Sequence, residues 1–321
     1  MASRPLGRGG LRAGPLSFGA AVIGNLYRAV GDDTADGAVR AALAAGVRYF
    51  DTAPHYGLGL SERRLGHCLA DVPDKLISTK VGRLLVSDPD GADRRDDEGF
   101  DVPADYRRVL DYSRDGVLRS LESSLKRLNV DRVDVVFVHD PDDHYREALD
   151  GAFPALEELR AQGVITSYGA GMNQSAMLTD FVRHTDLDVV MLAGRYTLLD
   201  QSALDDLLPL ATERAVSVVA AGVFNSGILA TDRPSPDANY NYAPAERSLI
   251  DRATRIAEIC ERHGVSLPQA AAQFPLRHPA VATVCLGTRT AAQAGRNAEL
   301  FGRPVPGDLW QELASTGLAR T

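Results

Sequence analysis

The segment Val133-Asp-Val-Val-Phe-Val-His-Asp140 is apolar at both even and odd positions until it ends in a histidine and an aspartate, and Asp188-Val-Val-Met-Leu-Ala193 repeats the pattern. A strand that turns neither face to water lies between two packed layers, as parallel strands do. Outward from these two, strand-length apolar runs recur at Leu16 to Ile23, Arg48 to Ala53, Leu76 to Val81, Ile165 to Gly171, Ser217 to Val223 and Val281 to Leu286. The segments between them read as amphipathic helices. Asp33 or Thr34 opens one that closes at Gly46, Ser113 caps Gly116-Val-Leu-Arg-Ser-Leu-Glu-Ser-Ser-Leu-Lys-Arg-Leu128, and Gly163 and Gly264 stand as C′ glycines. Eight βα repeats in 321 residues predict an α/β fold, a (β/α)8 TIM barrel in a single domain spanning 1–321.

The competing architecture is a doubly wound open sheet, which binds dinucleotides through three spaced glycines after its first strand. Gly57-Leu-Gly59-Leu-Ser-Glu62 begins that fingerprint and puts Glu62 where the third glycine should allow close helix packing. Neither a Walker motif nor a Gly-x-Ser-x-Gly elbow occurs.

Composition narrows the function classes. The net charge of −8 repels phosphodiester backbones and anionic lipid, so neither nucleic acid nor membrane is an expected partner. Cys68, Cys260 and Cys285 are odd in number and far apart, which excludes a disulfide framework or a four-thiolate metal site and suits a reducing compartment. With no apolar leader at the start and no run of spanning length, a cytoplasmic protein acting on a small molecule is expected.

Chemistry-bearing residues gather at the predicted strand ends: Asp51, then Tyr56 five positions on, Lys80 and His139. Each alone has an ordinary explanation as cap, wall, snorkelling cation or strand-end polar group. A lysine at the end of a buried strand needs a counter-charge, however, and Asp51 on the neighbouring strand supplies one. A cation beside a phenol favours phenolate, so Lys80 is expected to lower the Tyr56 pKa from about 10 and to let it give or take a proton at a carbonyl or hydroxyl oxygen, which His139 orients. Such a site interconverts an alcohol and a carbonyl and lacks only a hydride carrier. The alternative, a metal held by His139-Asp-Pro-Asp-Asp-His144, lacks supporting ligands at other strand ends, and Pro141 breaks the helical spacing two histidines require, so no metal is expected.

Tyr49-Phe-Asp-Thr-Ala-Pro-His-Tyr-Gly57 with Ser61-Glu-Arg-Arg-Leu-Gly66, Ser78-Thr-Lys80 and Val138-His-Asp140 resembles the aldo-keto reductase superfamily from about Leu16 to Asn297. The resemblance implies a catalytic set of Asp51, Tyr56, Lys80 and His139, with Tyr56 exchanging the proton and a nicotinamide cofactor, NAD or NADP, the hydride. It also implies Asn173 on the nicotinamide carboxamide, although Met172 replaces the usual serine before it. The pyrophosphate turn would be Phe224, Asn225, Ser226, Gly227 and Leu229, and the adenosine side Gly287, Thr288, Arg289, Gln293 and Asn297. Leu192-Ala-Gly-Arg-Tyr-Thr-Leu-Leu-Asp-Gln201 and Phe224-Asn-Ser-Gly-Ile-Leu-Ala230 resemble the family's bacterial sugar and pyridoxal dehydrogenases, which implies oxidation of a small aldose at C1 or of a related aldehyde. Gly287 stands where the family often carries a lysine for the 2′-phosphate, leaving Arg289 as the cation of that turn and implying use of both cofactors.

Two long connections read as candidate lids. One follows the third strand, from Arg83 to Asp105, with Phe100 in a polar run; the other runs from Thr231 to Glu246, with Tyr240 and Tyr242 among prolines. The first, on the C-terminal side of a strand, is expected to wall the substrate.

Overall fold

The structure, a computed structural model, describes residues 2–241 and 243–320; Tyr242 of the second candidate lid lies outside them. Eight parallel strands close a barrel in chain order: β1 (Leu16–Gly19), β2 (Tyr49–Asp51), β3 (Leu76–Val81), β4 (Val135–His139), β5 (Ser167–Met172), β6 (Val189–Ala193), β7 (Ser217–Ala221) and β8 (Val281–Gly287), with β8 pairing to β1. The predicted (β/α)8 barrel is therefore the fold. Several strands are shorter than the apolar runs that announced them. β1 stops at Gly19 because Ala20–Gly24 turns into a 3-10 helix, and β2 is only three residues long. Burial extends past the hydrogen-bonded ladder, and apolar pattern reports burial rather than pairing.

Period-two alternation sorts each strand between two cores. On β4, Val135 and Phe137 join Tyr49, Val189, Met191 and Val219 in the barrel interior, whereas Val136 and Val138 pack outward under the helices. The same parity sends Asp51, Lys80 and His139 inward at the C-terminal rim. The other end of the barrel is closed by a small hairpin, Arg4–Pro5 against Arg12–Ala13, which plugs the interior with Leu6 and Ala13. The Arg4 guanidinium fixes it through the carbonyls of Leu276, His278 and Val281.

The surrounding helices begin and end much as their residues dictate. Ser113 accepts from the Gly116 N–H at the start of Arg114–Leu128, and Gly163 and Gly264 adopt φ of 73° and 66° behind their helices. The first barrel helix, Asp32–Ala44, starts at the end of Gly31 rather than at Asp33 or Thr34. Glu62, the residue that spoils the dinucleotide fingerprint, is fully buried between helix Leu60–Leu69 and the barrel. It accepts from Thr79 Oγ1 at 2.6 Å and from Arg127 Nε at 2.6 Å, so a satisfied charge fills the space a glycine would have closed. Gly57 is required for a different reason. Its φ is +61°, and a Cβ there would meet the Gly24 carbonyl oxygen at 2.1 Å.

The connection after β3 is not an irregular loop. Arg83–Ser87 pairs antiparallel with Tyr106–Leu110, forming a hairpin arm whose tip folds back over the barrel mouth. Arg108 holds that tip by reaching Asp96 and the His55 carbonyl, and Phe100, 3% exposed, packs with Leu58 and Val102. The segment from Thr231 to Glu246 docks elsewhere: Tyr240 donates to Asp200, and Arg195 donates to Asn241. None of its described residues lines the central cavity. Among the described residues no helix is long and apolar enough to cross a membrane.

Candidate active site

At the C-terminal mouth of the barrel lies a cavity of about 480 Å³ whose floor is Lys80, Tyr56 and His139. The Lys80 ammonium, 2% exposed, donates to Asp51 Oδ2 at 2.6 Å and to the Thr52 carbonyl at 2.9 Å. Asp51 is steadied in turn by the Ser78 hydroxyl, which donates to Oδ1 at 2.7 Å. Two inward positions on adjacent parallel strands thus form a buried ion pair with its remaining hydrogen-bonding capacity largely met, the condition for a buried charge to persist. That pairing, together with the neighbouring phenol, raises the Lys80 pKa despite its burial.

Tyr56 follows β2 on the turn pinned by Gly57. Its ring has the Lys80 ammonium 4.7 Å from the centroid, and the His139 ring stands perpendicular to it at 5.8 Å. Sequence reasoning expected the cation to lower the phenol pKa; the structure gives the opposite net result. Burial pushes Tyr56 up to about 12, with Asp51 adding to the rise and Lys80 only limiting it. The cation's contribution has the expected sign, and desolvation outweighs it. Tyr56 is thus a phenol at neutral pH, a proton donor as it stands. His139 is 5% exposed and held well below its ordinary pKa by burial and by Lys80, so it is neutral. A neutral imidazole carries one N–H, and Nδ1 is buried with no hydrogen-bond partner while Nε2 lies 3.5 Å from Asp140 Oδ2. The Nε2–H is the donor that can orient an oxygen over Tyr56.

The walls bring in His55, Asp140, Asp142 and Gln174, which the sequence reading did not single out for this role, and Arg83 and Glu98 from the connection expected to wall the substrate. Phe100, expected from its place in the arm, is here as well, 6.0 Å from the Tyr56 ring. His55, enclosed between Phe100 and His139 and near Arg108 and Arg83, has its pKa driven down to about 2, chiefly by burial. The one signal available for Asp140 was its place directly after His139 at a strand end. His144, which the rejected metal alternative would have paired with His139, faces Glu147 and the Tyr112 ring. No group of three or more potential metal ligands occurs among the described residues.

The residues expected on the cofactor side divide into three groups. Asn173 lines the cavity beside Met172, with Ala193 and Ala221 leaving room at the ends of β6 and β7. In the turn after β7, Asn225, Ser226 and Gly227 all have positive φ (44°, 57° and 99°), which keeps side chains out of the way of a ligand approaching the backbone. The Asn225 amide donates to the Gly194 carbonyl, and its buried Oδ1 has no partner. Phe224 accepts the turn's closing hydrogen bonds through its carbonyl, and the Leu229 side chain is buried in the core, so it anchors the turn rather than facing a ligand. After β8, Gly287 is followed by a turn held from within: Thr288 receives the Asn297 amide, and Gln293 Oε1 accepts from the Arg289 N–H. Thr290 caps the helix Ala291–Glu299 that starts there, a site that favours an anion. The Arg289 guanidinium, expected to be available to a phosphate, donates to the carbonyls of Leu26 and Arg28. The orphaned Asn225 oxygen, the positive-φ turn after β7 and the helix start after β8 fit a dinucleotide, which these residues together with Asn173 would hold.

The aldo/keto reductase family model matches residues 15–316, and the chain belongs to that family. It is an NAD(P)-dependent oxidoreductase whose fold and nicotinamide requirement are those of the family. The chain is 47% identical to a D-threo-aldose 1-dehydrogenase of Pseudomonas sp over 319 residues, 97% of this chain and 96% of that one. It is 41% identical to the pyridoxal 4-dehydrogenase of Microbacterium luteolum, over 98% and 97% of the two chains. Among solved structures it is similar to the holo form of an aldo-keto reductase from Bacillus halodurans, with a TM-score of 0.77, 26% identity, and 100% and 97% of the chains covered.

Proposed function

We propose that the protein oxidises a small aldose at its anomeric carbon, giving the lactone, with Asp51, Tyr56, Lys80 and His139 as the proton-transfer set. The observation that carries this reading is the mixed lining of the cavity, where Arg83, Glu98, Asp140 and Asp142 stand beside the apolar Phe100 and Met172. A sugar has this mixed character, hydroxyls at its edges and C–H groups on its faces. The near full-length similarity to an aldose 1-dehydrogenase supports it. The aromatic Phe100 and the similarity to a pyridoxal 4-dehydrogenase favour a second reading, oxidation of an aromatic aldehyde or alcohol.

When bound, the nicotinamide accepts the hydride. This chain's residues do the rest. Asn173 would hold the nicotinamide carboxamide beside the cavity floor, His139 Nε2–H holds the oxygen of the reacting carbon, and Tyr56 exchanges the proton with that oxygen while Lys80 stabilises the phenolate. In the oxidative direction Tyr56 must first be deprotonated, so the phenolate fraction, and with it kcat/KM, grows with pH below about 12.

For the cofactor we propose use of both NAD and NADP, with a preference below about a hundredfold, the scale of one exposed charge-assisted contact. Two of the Arg289 N–H groups hold carbonyls, and its fork retains others for a 2′-phosphate. A cytoplasmic location accords with the three free cysteines. The test is a panel of aldoses, pyridoxal and aromatic aldehydes against each cofactor, followed by absorbance of the reduced nicotinamide. Turnover confined to non-sugar aldehydes overturns the aldose reading.

A further inference from the structure

Asp140 is placed unlike the other carboxylates of the cavity. It follows His139 directly, and its φ of +40° is a left-handed value that aspartate and asparagine adopt more readily than other non-glycine residues. Hydrogen bonds hold the turn. Its N–H donates to the Gly171 carbonyl at 3.1 Å, and the Tyr112 hydroxyl, below the turn, donates to the carbonyls of both His139 and Asp140 at 2.9 and 3.0 Å. This backbone turns the carboxylate back toward the barrel axis. There Oδ2 receives Arg83 Nη2 at 3.1 Å and lies 3.5 Å from His139 Nε2. The side chain remains 32% exposed, on the cavity it helps to line. Arg83 in turn reaches Glu98 at 3.3 Å, and its buried Nε has no partner, so the group is braced from the arm and still has donor capacity to offer.

We propose that Asp140 reads a hydroxyl on the carbon next to the reacting one, so that the site selects 2-hydroxy carbonyl compounds and their hemiacetals over those without that hydroxyl. The inference rests on the aldose reading and specifies which part of the sugar is recognised. His139 Nε2–H is the donor for the reacting oxygen. When it turns to that oxygen, the neighbouring Asp140 oxygen loses the nearby imidazole and needs another donor. Oxygens on adjacent carbons lie about 2.9 Å apart when gauche and about 3.7 Å apart when anti, a range that contains the 3.5 Å between Nε2 and Oδ2. A substrate with a vicinal hydroxyl therefore satisfies both side chains at once. One without it leaves a carboxylate facing C–H groups, with Arg83 alone to balance it, and unpaired polar groups are what make such sites reject an analogue. Burial holds the Asp140 pKa up and Arg83 draws it down. Lys80 and Asp142 also face it, with opposite effects.

The experiment compares kcat/KM for an aldopentose and its 2-deoxy counterpart, with saturating cofactor, in the wild type, Asp140→Gly and Asp140→Asn. Glycine accepts a φ of +40° and asparagine tolerates it, so neither change strains the turn. Because Asp140 is partly exposed, the wild-type preference for the 2-hydroxy sugar is expected at about a hundredfold rather than the larger ratios of fully enclosed sites. It should fall at least tenfold in Asp140→Gly, with Asp140→Asn between the two. A wild-type ratio near one, or variants that lose both substrates in equal proportion, overturns the proposal. If no aldose is oxidised, the aldose reading fails by itself, and the same ratio is then measured in the reductive direction with glyceraldehyde against propanal. Equal rates there overturn the role of Asp140 independently.

Discussion

The barrel rim and the arm that follows β3 are built on different terms. At the rim, Asp51 and Lys80 are 3% and 2% exposed and are met by each other, by the Ser78 hydroxyl and by the Thr52 carbonyl. On the arm, Glu98 keeps 42% of its side chain in solvent, and Arg83 divides itself between Glu98 and Asp140. A group that must hold one proton at one atom is set on rigid, dry elements, because positional error costs rate directly. Of the groups proposed to distinguish substrates, Asp140 follows β4 directly, whereas Arg83, Glu98 and Phe100 sit on a hairpin arm that can change without disturbing the barrel.

The largest effect expected from breaking this division is at Tyr56. Tyr56→Phe removes the proton-transfer group and leaves the cofactor groove intact, so kcat/KM should drop by about 10³ to 10⁴ while cofactor affinity, followed by fluorescence quenching, barely moves. Near-native turnover would refute the assignment.

Lys80→Met comes next. It leaves Asp51 as a buried charge without its partner and removes the cation that limits the rise in the Tyr56 pKa. Stability should fall by about 3–5 kcal/mol in denaturant titrations, the cost of breaking a buried pair. The rising limb of the oxidative pH profile should move to higher pH, because without the cation still less phenolate exists at a given pH. An unmoved profile with residual activity would separate Lys80 from Tyr56.

The sequence made the rim legible because parity is a local rule: every second residue of a parallel strand points inward, and Asp51, Lys80 and His139 close their runs in that phase. The Tyr56 pKa was not legible. A neighbouring cation can be inferred from spacing, whereas the depth of burial around a phenol depends on Phe100 and the arm, which are distant in the chain. The arm itself read as a loop because Arg83–Ser87 and Tyr106–Leu110 pair across a long tip with no two-residue turn signal. Arg289 shows the same limit. Its presence in the last turn was plain, and its engagement with the Leu26 and Arg28 carbonyls, some 260 residues away in sequence, was not.

Smaller effects sharpen the comparison. Arg289→Ala should weaken NADP about tenfold and NAD less, by titration of both cofactors; equal losses would mean that this guanidinium only ties the turn to the Leu26–Arg28 loop. His55 and His139 are both neutral in the fold, with pKa values depressed below the ordinary 6.5. The unfolded chain therefore takes up protons that the folded chain refuses as pH falls below 6.5. Each such imidazole removes up to about 1.4 kcal/mol of stability per pH unit, from 6.5 down toward its folded pKa. Chemical denaturation between pH 7 and 5 should show this loss, and His55→Gln should make the dependence shallower. An equally steep dependence in that variant would place the acid sensitivity elsewhere.

The most direct test of the division between rim and arm is to replace residues 88–105 with a short turn, keeping the paired strands Arg83–Ser87 and Tyr106–Leu110, and to measure kcat and KM separately on the best substrate. The expected result is a KM raised at least tenfold and an altered order of preference among substrates, with kcat at saturation retained to within about tenfold and the barrel still folded. Loss of kcat at unchanged KM would contradict the account, because it would place the arm in the proton transfer itself and not in the choice of substrate.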